Sequence, residues 1–210
     1  WPQAAFSPPA RSPTNGTPTQ RSSRWSSPTT LIWNFRWPTS SRSTLSTPLP
    51  SRQWPPFSPA VAVADQLWMA RYLLYRVAED FQVDASVAAK PIKGDWNGAG
   101  AHTNFSTNAM REGYDAIITA CESLGAEGKP AEHIAGYGLG SEERLTGAHE
   151  TQRFDQFSYG VSDRGASVRI PWQVNLDQKG YIEDRRPNAN MDPYVVTRLI
   201  TNTCCEALAG

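Results

Sequence analysis

Apolar residues recur at helical spacing in three stretches of the chain, and two shorter stretches read as strands. Over 65–82, Trp68, Tyr72, Tyr75 and Ala78 repeat every three or four residues, with Asp65 placed to cap the start. Over 107–124, Met110, Tyr114, Ile117, Cys121 and Leu124 step by four and three, and Gly125 follows as a stop. Cys121 falls on that stripe and reads as a core residue. A third helix is predicted over 193–207, with Asp192 as N-cap and Pro193 at its first position. Strands are expected around 165–171 and 180–185, with a polar loop over 141–157. His133 is expected on a short helix after Pro130. The pattern is one of mixed helix and strand, an α+β chain.

The second predicted strand carries an unusual run. Glu183-Asp184-Arg185-Arg186 sits between the apolar pair Tyr181-Ile182 and a Pro187-Asn188 breaker. In a strand, successive side chains alternate faces, so Tyr181, Glu183 and Arg185 share one side. A carboxylate and a guanidinium on one face suit a metal ion and an anionic ligand together. Asp184 and Arg186 fall on the other face and read as a structural pair. An exposed, self-paired strand would also explain the run. A second cluster spans 90–106. Gly94, Gly98 and Gly100 lie close to Asp95, Trp96, Asn97 and His102. Glycines let a backbone approach a ligand closely, and a histidine just beyond such a loop suits a metal.

Composition divides the chain near residue 64. The 210 residues carry no net formal charge, yet residues 1–63 hold six arginines and no Lys, Asp or Glu. That leaves −6 on the remainder. Twelve of the seventeen prolines and five of the eight tryptophans also fall in 1–63. Frequent proline interrupts helix and sheet bonding, so 1–63 is expected to be disordered and 64–210 folded. Arg interleaved with Trp fits single-stranded nucleic acid, but no RNA-binding motif accompanies it. Translation in a wrong frame, or a mis-assembled gene, is a further reading of 1–63. Residues 1–30 lack the apolar core of a secretory signal, and no run of about 18 apolar residues occurs. Cys121, Cys204 and Cys205 are odd in number and two are adjacent, which argues against a disulfide framework. A cytoplasmic protein without a membrane span is expected.

Five motifs, in this order, resemble glutamine synthetase of the type II class. They are the stretches Asp65–Tyr72, Lys90–Ser106, Arg144–Thr151 (Arg-Leu-Thr-Gly-Ala-His-Glu-Thr), Asp163–Pro171 and Tyr181–Val196. The resemblance covers about 64–210. Tyr159–Asp163 and Ile170–Val174 look more like the bacterial branch of that class. The resemblance implies a curved, mainly antiparallel catalytic sheet with flanking helices. It implies ATP-dependent joining of ammonia to glutamate through γ-glutamyl phosphate, with Mg²⁺ or Mn²⁺ as cofactor and ring-shaped homo-oligomers.

By the same resemblance, His102 and Glu183 are metal ligands. Asp95, Trp96, Arg144, Arg164 and Arg185 meet glutamate. Asn104, Phe105, Ser106, Arg164, Arg169, Tyr181, Ile182 and Glu183 line the nucleotide site. Glu150, Arg164 and Arg169 act in catalysis, Glu150 from a mobile flap that Gly147 helps to move. His149 is expected to shape that flap. Arg164 and Arg169 are five residues apart, so a regular strand would separate them. For both to reach one ligand, Arg164 must precede the strand or sit at a bulge.

The family also has an N-terminal β-grasp domain and further metal-binding glutamates upstream. Residues 1–63 contain no glutamate. The chain as written is therefore expected to be an incomplete copy with little ligase activity. The competing reading is an inactive synthetase-like remnant serving as an interaction module.

Overall fold

The glycine-rich loop and the charge run, more than 80 residues apart in sequence, belong to neighbouring strands of one open sheet. The computed structural model describes residues 30–36 and 58–209. The elements are β1 Thr30–Arg36, β2 Ser58–Pro59, α1 Ala60–Asp80, β3 Gly100–Ser106, α2 Asn108–Glu112, α3 Asp115–Leu124 and α4 Lys129–Gly136. Then come α5 Ser141–Arg144, β4 Tyr159–Val161, β5 Val168–Ile170, α6 Trp172–Asp177, β6 Ile182–Asp184 and α7 Pro193–Ala209. Most of the segment 1–63 lies outside the described residues. Within it, the described parts are β1, β2 and the first turn of α1.

Among the described residues, the strand order is β2-β1-β3-β6-β5-β4. The four strands β3, β6, β5 and β4 form the mixed sheet that carries the charged residues. All pairs are antiparallel except β4 with β5. The fold is α+β, as the spacing predicted.

One face of this sheet is apolar. Phe105, Ile170 and Ile182 project from it onto Ile117 and Leu124 of α3 and Ile200 of α7, all fully buried. Helix α7 packs against α3, α1 and α4. Cys121 is buried in this core, as expected. The helix predicted over 107–124 is two helices. Thr107 caps α2 by accepting from the Met110 amide at 3.2 Å, and Gly113 breaks the run in extended conformation before α3 begins.

Helix α1 corrects two expectations. It begins at Ala60, so Asp65 lies inside it rather than capping it. Its buried face is Val63, Ala64, Leu67, Arg71 and Ala78. Trp68, Tyr72 and Tyr75, the expected buried stripe, are 47%, 58% and 41% exposed. Arg71 takes the inward position because its Nη2 donates to the carbonyls of Ala189 and Met191, at 2.6 and 2.9 Å. A buried guanidinium is tolerable only with such acceptors. Among the described residues, no helix is long and apolar enough to cross a membrane.

Candidate active site

Strand pairing alone assembles the centre of the site. Asn104 on β3 lies opposite Glu183 on β6, and Glu183 lies opposite Arg169 on β5. These three residues form one row across three strands. His102, two residues before Asn104, shares its face. Its Nδ1 lies 2.9 Å from Glu183 Oε1. Arg169 Nε lies 2.5 Å from Glu183 Oε2, and Arg185 Nη1 lies 3.6 Å from the same oxygen. One carboxylate thus gathers an imidazole and two guanidinium groups.

The protonation states follow from this crowding. Burial by itself would raise the Glu183 carboxyl, but the bond from His102 and the Arg169 and Arg185 charges hold it at about 2. Burial pushes the His102 imidazole down from its ordinary value, against the pull of Glu183. At neutral pH the imidazole is uncharged and the carboxylate ionised. Nδ1 therefore carries the proton and donates to Glu183, which leaves the Nε2 lone pair for another ligand.

A second set of loops closes around this row. Arg164 precedes β5, one of the two placements that would let it share a ligand with Arg169. Its Nη1 lies 3.4 Å from Glu150 Oε1, and both side chains are substantially exposed. Arg185 Nη2 donates to the carbonyls of Glu150 and Arg164, at 3.0 and 2.9 Å. The loop bearing Glu150 is strained: His149 and Glu150 both have positive φ, 53° and 60°, just after Gly147 at 86°. Non-glycine residues rarely hold that conformation, and functional loops are where it recurs. His149 Nε2 reaches across to Asp95 Oδ1 at 2.9 Å and ties this loop to the glycine-rich one. A small, partly open hollow is lined by His102, Glu150, Arg185, Leu145, Thr151, Gln152, Ala166, Ser167 and Arg186.

Other expected site residues sit at the margins. Trp96 is 43% exposed on the glycine-rich loop. Phe105 and Ile182 point their side chains into the apolar core. Ser106 donates to the Gly180 carbonyl at 2.6 Å, just before half-buried Tyr181. Arg144 is buried. Its Nη2 donates to the carbonyls of Arg185, Arg186 and Pro187, at 2.9, 2.6 and 3.1 Å, and its Nε to Asn188 Oδ1 at 2.6 Å. It clamps the backbone that presents Arg185. Two glycines make room for it. A Cβ at Gly98 would lie 2.3 Å from Arg144 Cγ, and one at Gly100 2.6 Å from its Nη1. Asn188, fully buried against Arg144, escaped the sequence reading. Its only signal was an asparagine directly after Arg-Arg-Pro.

The donor set fits a hard cation at Glu183. Glu183 Oε2 and Asn104 Oδ1 are buried acceptors without a hydrogen-bond donor. Such oxygens are costly to bury unless a ligand satisfies them. Among the described residues, no group of three or more His, Cys, Asp or Glu side chains is clustered for a metal, so His102 and Glu183 supply two ligands at most. The surrounding guanidinium groups suit carboxylate or phosphate oxygens.

No protein-family model matches the chain. The chain is 71% identical over 151 residues to a glutamine synthetase of Streptomyces hygroscopicus, a match covering 72% of this chain and 44% of that protein. It is 56% identical over 150 residues to a glutamine synthetase of Emericella nidulans, covering 70% and 42%. A cytosolic glutamine synthetase isozyme of Medicago sativa is 54% identical over 148 residues, covering 70% and 41%. The matches fall on the C-terminal part of these relatives. The chain thus spans less than half the length of the curated relatives it matches.

Proposed function

The chain is a homologue of glutamine synthetases, and we propose that its charged hollow is part of a site for ATP-dependent ligation of ammonia to glutamate. A carboxylate is a poor acylating agent. ATP first phosphorylates the γ-carboxylate, and ammonia then displaces phosphate from γ-glutamyl phosphate. The first step crowds several anions together, so it needs fixed cations such as the arginines of this site. The second needs a base for ammonium and a pocket that excludes water.

His102, through Nε2, and Glu183 would be ligands for Mg²⁺ or Mn²⁺, which would neutralise phosphate charge. Arg169 faces the transferring phosphoryl group, and Arg164 bridges nucleotide and glutamate. Asn104, Ser106, Tyr181 and the backbone at Phe105 and Ile182 border the nucleotide. Arg185 takes a substrate carboxylate, held in place by Arg144. Asp95 and Trp96 flank the glutamate, and Glu150 closes over it and draws the proton from ammonium. Ring assembly and a cytoplasmic setting belong to the same reading.

What supports this reading above all is the Asn104–Glu183–Arg169 row with His102 bonded to Glu183. Calorimetry of the purified chain with MgATP and with glutamate tests it. MgATP is expected to bind, and Glu183→Gln to abolish the magnesium dependence of that binding. Hydroxamate formation from glutamate, hydroxylamine and ATP is expected to be slight, because two protein ligands hold a hard cation weakly. Absence of any MgATP binding would leave the chain as an inactive interaction module.

A further inference from the structure

We propose that the Arg169 guanidinium and a divalent cation compete for the Glu183 carboxylate, so that cation loading releases Arg169 to a phosphate-bearing ligand. The proposal rests on reading Glu183 as a cation ligand.

The two ion pairs made by neighbouring acids on β6 differ in kind. Arg186 grips Asp184 through two aligned bonds, Nε to Oδ1 at 2.9 Å and Nη2 to Oδ2 at 2.7 Å. Arg169 Nε comes within 2.5 Å of Glu183 Oε2, yet neither atom has an aligned hydrogen bond. Charge alone holds this contact. The Arg169 side chain is 27% exposed, against 4% for Glu183, so it can swing outward without unpacking the sheet. The other partner, His102, is bonded through Nδ1 to the opposite oxygen and need not move.

A cation on Oε2 would cancel the attraction that keeps Arg169 inward and would repel it. The freed guanidinium then offers its fork of donors at the mouth of the site, where phosphate oxygens match it bidentately. Before cation loading, the same guanidinium is spent on Glu183. Cation and anion therefore favour one another, and by linkage the effect is equal in both directions.

The test measures free Mn²⁺ by electron paramagnetic resonance with the purified full chain, using inorganic phosphate as the anion probe. In the wild type, saturating phosphate is expected to tighten Mn²⁺ binding by about fivefold or more. Arg169→Gln is expected to tighten Mn²⁺ binding without phosphate by a similar factor of about fivefold, and to abolish the response to phosphate. Arg153→Gln is the control for general charge removal, because exposed Arg153 pairs with Asp155 and not with Glu183. It should change Mn²⁺ affinity by no more than about twofold. No phosphate response in the wild type overturns the proposal, as does unchanged or weakened Mn²⁺ binding in Arg169→Gln. So does an equal gain in Arg153→Gln. Glu183→Gln separates the two layers. If it loses Mn²⁺ while Arg169→Gln has no effect, only the exchange fails. If it binds Mn²⁺ as the wild type does, the cation is not on Glu183 and both readings fall.

Discussion

The two faces of β6 carry the same chemistry to opposite ends. Glu183 lies in one row with Asn104 and Arg169, while Asp184 turns the other way to meet Tyr137 and Arg186. On the inner face nearly every polar atom is matched. Asp184 accepts from the Arg186 backbone amide, from two guanidinium nitrogens, and from the Tyr137 hydroxyl at 2.7 Å. Arg186 Nη1 lacks an acceptor, but its guanidinium lies 5.3 and 5.1 Å from the rings of Tyr137 and Phe157. The Tyr137 oxygen lies 2.6 Å from His133 Nδ1, and His133 Nε2 lies 2.9 Å from Thr203 Oγ1. On the outer face, acceptors on Glu183 and Asn104 stay unmatched. A saturated network fixes a structure. An unsaturated one is a place for something to bind.

The contrast is sharpest under Asp184→Asn. That change leaves the buried Arg186 charge without its partner, which costs about 3–5 kcal/mol. Urea denaturation at pH 7 is the measurement. Glu183→Gln should cost less in the same experiment, at most about 3 kcal/mol, since its partners include the exposed-edge Arg169. Equal losses would erase the distinction between the faces.

Acid should attack the inner face first. Burial, together with the Arg186 charge, pushes the His133 imidazole down to about 4. In the unfolded chain it titrates near 6.5. Between those values the unfolded chain binds a proton that the native one refuses, so stability falls as pH falls from about 6.5 to about 4. The loss through His133 is about 3 kcal/mol and is complete near pH 4. His102 shifts in the same direction and adds to it. Glu183, held at about 2, gives up its contribution only as pH falls from about 4.5 towards 2. Urea midpoints between pH 7 and pH 4.5 should slope downward, and His133→Gln should remove much of the slope. A slope unaffected by that variant would move the acid-sensitive element elsewhere.

Alternation along the charge run separates Glu183 from Asp184 in the sequence itself, because a period of two is rigid in a strand. The same alternation left Arg164 two placements, before β5 or at a bulge, and the fold takes the first. Helix α1 was not legible in this way. It is apolar around much of its circumference, so the aromatic stripe is as regular as the face that is buried. The burial of Arg71 depends on the carbonyls of Ala189 and Met191, more than a hundred residues away, which no local window contains. The same holds for Arg144, whose acceptors at 185–187 exist only once the chain has folded. The break at Gly113 was visible as a glycine but was outvoted by an apolar stripe that continues through it, since Met110 and Ile117 enter the same core.

The weakest expected effect on stability comes from the outermost contact, Arg164 with Glu150. Their side chains are 61% and 41% exposed and meet at 3.4 Å, so solvent screens the pair. Arg164→Gln should shift the urea midpoint by no more than about 0.5 kcal/mol in free energy. Its effect on ligand should be far larger. If Arg164 bonds a nucleotide phosphate, removing that charged donor weakens ADP binding by about tenfold or more. The two numbers together distinguish a ligand arm from a strut. A strut loses stability and binding in proportion, because the variant fails by loosening the loop. An arm loses binding alone. The backbone of this loop is already held by Arg185 through the carbonyls of Glu150 and Arg164, so the loop does not depend on the Arg164 side chain.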